Sequence, residues 1–429
     1  MRRLPNRRKS RQIGTGAMNS WKKLLITILA AALALCCLTL PATAAGADDL
    51  KNPDGGVIGV SNRGMRRDYP ENSLEGVLAA GRTGIGWVLT DVRKTADGVF
   101  VLFADETTER MLDAPEAMTV AEATLAELQA HPLKAYSGGA GAQASESRVP
   151  TLEQALGAAR NEGFSLLLKT DLSLLPGLCD YLTEKNAAGF TALLVNAKAQ
   201  DIAAALAGRD NCPPVIGVKR GNVIFAVWSY LKKAAEGGFA GVQLQTTNRY
   251  GVNFHQTVLG RFPGKLRAVA DPTDPRLCGA REDSEKWWDD LISRGYSVIV
   301  TDEAELFAEY MARNDAARAR LNGLYARYTA QWKLPNFRSA LFNDYKKAYT
   351  DAITEAERIL GDAAVSTREM NDCAAALQKA VDDINANYAA LEQGSAGSTV
   401  TVPRILICVA AAAVVVAVQV FFYKKRKKA

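Results

Sequence analysis

The 429-residue chain predicts an α/β fold: a TIM-type (β/α)8 barrel followed by an α-helical bundle and one C-terminal transmembrane helix. Three observations predict it. Eight short, mostly apolar, β-branched runs alternate with helical stretches over about 250 residues, the size at which eight strand–helix units close into a barrel. Residues 314–393 then become rich in Ala, Lys, Asp and Glu, with apolar spacing of three and four. Last, the stretch from Ile405 to Tyr423 carries no charge.

In chain order, Arg2, Arg3, Arg7, Arg8, Lys9, Arg11, Lys22 and Lys23 precede the apolar run Leu24 to Leu40, and Pro41-Ala42-Thr43-Ala44 follows. Cations, an apolar core and a small-x-small site are the parts of a secretory signal, so residues 1–44 are expected to be a signal peptide cleaved after Ala44. Met18 would open an ordinary signal by itself, which makes residues 1–17 an over-long start, and the run also fits an uncleaved anchor. Cys36-Cys37 does not make a lipoprotein site, because Leu35 lies where a small residue is needed.

The barrel is expected over residues 45–313. Its strands are Val57–Ser61, Trp87–Val92, Phe164–Thr170, Thr191–Asn196, Pro214–Arg220, Ala240–Leu244, Leu266–Asp271 and Ser297–Asp302. Most are apolar throughout, as parallel strands covered on both faces should be. Helical patterns lie between them, among them Ser73–Arg82, Asp201–Gly208, Val223–Glu236 and Ser284–Arg294. Val99–Phe103 reads as an extra strand that opens an insertion reaching Pro150, closed by a flexible stretch, Ser137–Ser147. Arg320–Tyr328, Asn336–Leu360 and Ser366–Leu391 then predict a three-helix bundle, with Ser366 and Glu369 as a capping box. Residues 394–403 read as a Gly/Ser/Thr linker.

Residues 404–423 are expected to span a membrane: at about 1.5 Å per residue the uncharged run just covers a hydrocarbon core of about 30 Å. Lys424 to Lys428 orient the tail, residues 424–429, to the cytoplasm. The predicted product is a single-pass cell-membrane protein with an extracellular ectodomain.

The charge of +6 misleads, because thirteen of the 52 Lys and Arg sit in the two ends, leaving 39 cations against 46 acids between them. A mildly acidic body excludes nucleic acid as the expected partner. Histidine occurs only at His131 and His255, the first beside Pro132 in the insertion and the second in a polar loop; both read as packing residues. Of seven cysteines, Cys179, Cys212, Cys278 and Cys373 fall in the ectodomain, and neither their pairing nor their staying free as buried thiols is decided by spacing. Trp287 and Trp288 read as a helix covering the barrel, and Lys232-Lys233 as a solvated helix end.

In a barrel, reactive groups come from the C-terminal ends of strands. Strand one ends in Asn62-Arg63-Gly64, with Pro70-Glu71-Asn72-Ser73 soon after. Strand two ends at Asp91, followed by Val92-Arg93-Lys94-Thr95-Ala96-Asp97-Gly98. The extra strand ends in Ala104-Asp105-Glu106, strand three in Leu167-Leu168-Lys169, and strand eight in Thr301-Asp302. Taken in order over residues 57–312, this arrangement resembles the glycerophosphodiester phosphodiesterase family.

That resemblance implies a barrel of the phospholipase-C-like phosphodiesterase type. Such barrels hydrolyse glycerophosphodiesters to an alcohol and glycerol 3-phosphate with two histidines and a Ca2+ or Mg2+ ion. The departures matter as much as the match. Asn62 and Ala104 stand where the family has its histidines, and Leu89 and Leu167 where it has metal-binding glutamates. Arg63, Glu71, Asp91, Asp105 and Lys169 are retained.

Neither Asn nor Ala exchanges a proton near neutral pH, and leucine is no ligand for a hard cation. The first reading is therefore a pseudoenzyme without a cofactor. Its pocket would take an anion such as a phosphorylated glycerol or another cell-envelope ligand on Asn62, Arg63 and Lys169. A variant of this reading pairs Asp91 with Lys169 or Arg63 and leaves the pocket inert. A second reading keeps hydrolysis, with Glu71, Asp91 and Asp105 recruited for Ca2+ or Mg2+. In a third the helical module is an adhesin. Tyr328, Trp332, Phe337, Ala340, Ala348, Ala374, Leu377 and Ala380 of that module resemble the FIVAR repeats of bacterial surface proteins.

Overall fold

The computed structural model describes residues 46–221, 223–259, 266–331 and 345–397. The expected signal segment, the apolar run after Arg404 and the basic tail lie outside the described residues. Among the described residues no helix is long and apolar enough to cross a membrane.

The chain enters through a short helix, α1 (Ala47–Lys51), and then strand β1 (Ile58–Asn62). Next come α2 (Leu74–Arg82), β2 (Gly86–Lys94), β3 (Phe100–Leu102), α3 (Leu125–Gln129) and α4 (Leu152–Glu162). The regular alternation resumes with β4 (Ser165–Thr170), α5 (Leu175–Glu184), β5 (Thr191–Val195), α6 (Ala199–Leu206), β6 (Val215–Arg220) and α7 (Ile224–Glu236). It closes with β7 (Gly241–Gln245), α8 (Gly251–Leu259), β8 (Arg267–Ala270), α9 (Glu285–Ile292) and β9 (Val298–Thr301). Eight strands pair in parallel in the order β1-β9-β8-β7-β6-β5-β4-β2, and β1 pairs back onto β2 to close the barrel. The extra strand β3 lies antiparallel on the end of β2, with Val92 opposite Leu102.

Two apolar layers explain the continuous apolar strands. Val60, Trp87, Leu89, Leu167, Leu194, Ile216, Val269 and Val300 fill the barrel interior, while Val88, Leu166, Leu168, Leu193 and Ile299 face the helices. Leu50 of α1 closes the end where strands begin. Beside it the buried Arg267 donates to the carbonyls of Asp49, Gly55 and Gly56. Burial with no carboxylate bonded to it pushes this guanidinium down to about 10.

The insertion after β3 has its own small core, including Val101, Phe103, Met111, Leu128 and Leu133. The stretch Ser137–Ser147, expected to be flexible, is tied down: the Ser145 amide donates to Leu133 O at 2.8 Å, and Lys134 bridges Ala144.

The last barrel helix and the first bundle helix are one element, α10 (Ala304–Gln331), so the expected boundary at 313/314 lies inside a continuous helix. Its first part puts Phe307 and Tyr310 edge-on to Trp288 of α9. Its second part packs Ala317, Leu321 and Tyr328 against α11 (Tyr345–Gly361) and α12 (Thr367–Gly397). Ser366 and Glu369 form the expected cap: the Glu369 amide donates to Ser366 Oγ at 3.2 Å, and the Ser366 amide to Glu369 Oε2 at 3.3 Å. Helix α12 runs to Gly397, so the first residues of the expected linker are helical. Of the FIVAR-like positions, Tyr328, Ala374, Leu377 and Ala380 are buried in the bundle and Ala348 is exposed, while Trp332, Phe337 and Ala340 lie outside the described residues.

Candidate functional site: a charge-paired barrel mouth

The site forms where the strands end. After β1 the chain turns sharply. Arg63 adopts φ 58° and Asn72 φ 57°, a left-handed conformation uncommon for residues with a side chain. The two hold each other, the Asn72 amide donating to Arg63 O at 3.0 Å while the Arg63 amide donates to Leu89 O at 2.8 Å. Gly64 (φ +77°) permits this turn, because a Cβ there would stand 2.6 Å from the Gly76 carbonyl carbon in the first turn of α2.

That turn aims Arg63 at Asp91. Arg63 Nε lies 2.7 Å from Asp91 Oδ2, and its Nη1 lies 3.1 Å from Glu71 Oε1. Lys169 of β4 reaches Asp91 Oδ1 at 3.3 Å, and Asn72 Nδ2 donates to Asp91 Oδ2 at 3.1 Å. Burial by itself would raise the Asp91 carboxyl, but Arg63 and Lys169 outweigh it and hold the group below the usual carboxylate range. Glu71 is buried and also takes Arg110, whose Nε binds Asp105 at 2.6 Å. Three cations and three carboxylates thus alternate in one network.

The other expected residues fall around it. Asn62 spends its amide donors on Thr273 Oγ1 (3.2 Å) and Asp302 Oδ1 (3.1 Å), and Arg66 pairs with Asp302 through two nitrogens. Ala104 offers only its carbonyl, capped by Arg93 Nη2 at 2.9 Å. Leu89 and Leu167 are buried inside the barrel. His255, expected in a polar loop, is instead buried on α8, with Nδ1 2.7 Å from the Tyr296 hydroxyl and Nε2 3.1 Å from Gly221 O. Burial lowers its pKa. His131 is half-buried in the insertion.

A cavity of about 620 Å3 opens here, lined by Asn62, Arg63, Arg66, Leu89 and Lys169 on one side. Its other side brings residues that sequence reasoning passed over: Asn196, Arg220, Gln243, Gln245, Asp271 and Thr273. All but Gln243, which sits in the middle of β7, lie at or just beyond the end of β5, β6, β7 or β8, so the strand-end rule applied to every strand would have found the other five. Asp271 accepts from Gln243 Nε2 at 3.1 Å and from Thr273 Oγ1 at 2.5 Å, and burial raises its pKa. Arg220 forms no ion pair among the described residues, and Lys169 keeps a side chain 45% exposed.

Residues 63–202 match the glycerophosphoryl diester phosphodiesterase family. The matched stretch, about a third of the chain, carries Arg63, Glu71, Asp91, Asp105 and Lys169. Solved glycerophosphodiester phosphodiesterases are similar in structure. One from Agrobacterium tumefaciens is 16% identical, covering 59% of this chain and 99% of its own, with a TM-score of 0.46. One from Parabacteroides distasonis is 21% identical, covering 62% and 92%, with a TM-score of 0.48. An Oleispira antarctica phosphodiesterase, solved with the product sn-glycerol-3-phosphate, is 18% identical over 58% and 94%, with a TM-score of 0.44. No curated protein matches the chain.

The residues present do not fit the divalent cation that the family resemblance implies. Leucine supplies no ligand at positions 89 and 167, and the retained carboxylates Glu71, Asp91 and Asp105 are each bound by guanidinium or ammonium donors. Among the described residues no three His, Cys, Asp or Glu side chains converge as a metal site.

Proposed function

We propose that this barrel is a phosphodiesterase-like module without hydrolytic chemistry, which binds a phosphorylated glycerol-type headgroup at its mouth. One observation carries the reading: the Asp91 carboxylate is saturated by Arg63, Lys169 and Asn72. The family's chemistry would ask the same carboxylate to hold an ion. With Asn62 committed to Thr273 and Asp302, the anion grip passes to the half-exposed Lys169, to Arg220, which forms no ion pair among the described residues, and to the outer face of Arg63. The surrounding amides Asn196, Gln243 and Gln245 suit a hydroxylated ligand.

The same reading holds the protein at the cell surface through the run after Arg404. A disulfide between Cys179 and Cys212 supports an oxidising compartment for the barrel.

Calorimetry with glycerol 3-phosphate tests the binding. Lys169→Ala should weaken it about tenfold or more, the usual cost of a lost charge-assisted hydrogen bond; no heat with the wild type removes the proposal. Hydrolysis of glycerophosphocholine in Ca2+ or Mg2+ tests the loss of chemistry. Turnover that disappears in Asp91→Ala would restore the active reading.

A further inference from the structure

Seven of the eight large apolar side chains that are exposed among the described residues lie on the side of the barrel where the strands end. Tyr69 follows β1, Tyr136 sits beside the site with its carbonyl on the Glu71 amide, and Leu306 opens α10. The densest group stands at the starts of α7 and α8: Val223 is 62% exposed, Phe225 82% and Tyr250 55%, with Trp228 one turn further along. Single exposed apolar residues need no explanation, but a cluster on one rim marks an interaction surface.

Cations stand around this cluster: Arg220, Lys232, Lys233 and Arg249, with Glu236 facing Lys232 at 3.8 Å and Asp271 and Asp274 inside the neighbouring cavity. Arg249 lies over the Tyr250 ring at 4.8 Å and Lys232 over the Trp228 ring at 5.9 Å. Arg220 stands at the edge of the cluster and also lines the cavity, so the apolar group borders the mouth. Aromatic and aliphatic tips flanked by cations complement a surface that is apolar inside and anionic outside.

Among the described residues the bundle lies away from this face. Helix α10 starts on the mouth side and runs toward the strand starts. There Ala363, after α11, lies near Gly56, and Arg318 binds the carbonyls of Asp362 and Ala363.

We propose that the mouth face of the barrel docks on an anionic lipid surface. Val223 and Phe225 enter between the headgroups, and Arg249 and Lys232 rest on the lipid phosphates. This does not depend on which ligand fills the cavity.

The test uses the full chain, held in phosphatidylcholine nanodiscs so that its apolar terminal segments are satisfied, mixed with sucrose-loaded vesicles. The chain should sediment with vesicles of equal parts phosphatidylglycerol and phosphatidylcholine and not with phosphatidylcholine alone. Added salt should weaken the binding. A double variant, Val223→Ser with Phe225→Ser, should bind about tenfold more weakly or worse, at an unchanged melting temperature. Charge reversal by Arg249→Glu with Lys232→Glu should do the same without touching the apolar group. Failure of the wild type to sediment overturns the proposal, as does undiminished binding by either variant. So does a finding that the serine variant only breaks up self-association measured without vesicles, since that would assign the face to a second copy of the chain.

Discussion

Asp91 is the residue on which the mouth turns. It is the last β2 residue paired with β4 in the barrel wall, where a lone carboxylate would be costly, and it is kept ionised by Arg63, Lys169 and Asn72. Asp91→Asn leaves both cations short of a partner and should cost about 3 kcal/mol in urea unfolding. The sign with pH follows from the lowered pKa. The Asp91 contribution is present above the ordinary carboxylate pKa and is lost as pH falls through the lower folded value, so the gap between wild type and variant should close in acid. Asp271 behaves in the opposite way. Burial raises its pKa, so its charge opposes folding at neutral pH, and the opposition ends as pH falls through the folded value. Asp271→Asn should therefore stabilise the protein by roughly 1 kcal/mol at neutral pH and by less as the medium is acidified, read from melting temperatures across a pH series.

Among the elements, α10 does two jobs that the sequence pattern divides between two domains. Its apolar face first meets Trp288 through Phe307 and Tyr310, then turns toward α11 and α12 through Ala317 and Leu321. Asn314 marks the changeover: it is buried, and its Nδ2 donates to Val365 O at 2.9 Å and Thr367 Oγ1 at 3.2 Å. Asn314→Ala leaves the buried carbonyl of Val365 without this donor and should cost about 1–3 kcal/mol. Because the helix is continuous, barrel and bundle should lose stability together. Separate melting transitions, with only the bundle destabilised, would contradict that coupling.

At the scale of the whole molecule, one covalent link and one distribution of charge stand out. Cys179 and Cys212, 33 residues apart with Cα atoms 5.4 Å from each other, tie α5 to the segment before β6. Closing a loop of that length should stabilise the barrel by about 4 kcal/mol, so reduction should lower its melting temperature by about 6 °C. Cys278 and Cys373 are buried, and burial pushes the Cys278 thiol up to about 12. Alkylation of the native oxidised protein should label neither of them, and unfolding should expose both. The charges divide by region: an alternating ion-pair network fills one side of the mouth, and the other carries Arg220 with Asp271 and Asp274.

Much of the architecture could be read from the sequence. All eight barrel strands and the extra strand lie within a few residues of their expected positions, because strands covered on both faces leave continuous apolar runs that local pattern reading detects. The residues at positions 62, 89, 104 and 167 are read directly off the chain, and their standing as departures follows only from the family resemblance. The pairing of Asp91 with Arg63 and Lys169 is among the sequence readings, but the pairing of Glu71 with Arg63 and Arg110 and of Asp302 with Asn62 and Arg66 is not, because those residues meet only when the barrel closes. The same closure selects Cys179 and Cys212 from four cysteines, buries His255, and brings Arg220 and Asp271 into one cavity with Lys169. Periodicity along a chain reports which side of each element is covered; the circular order of eight strands decides what stands across the mouth from what.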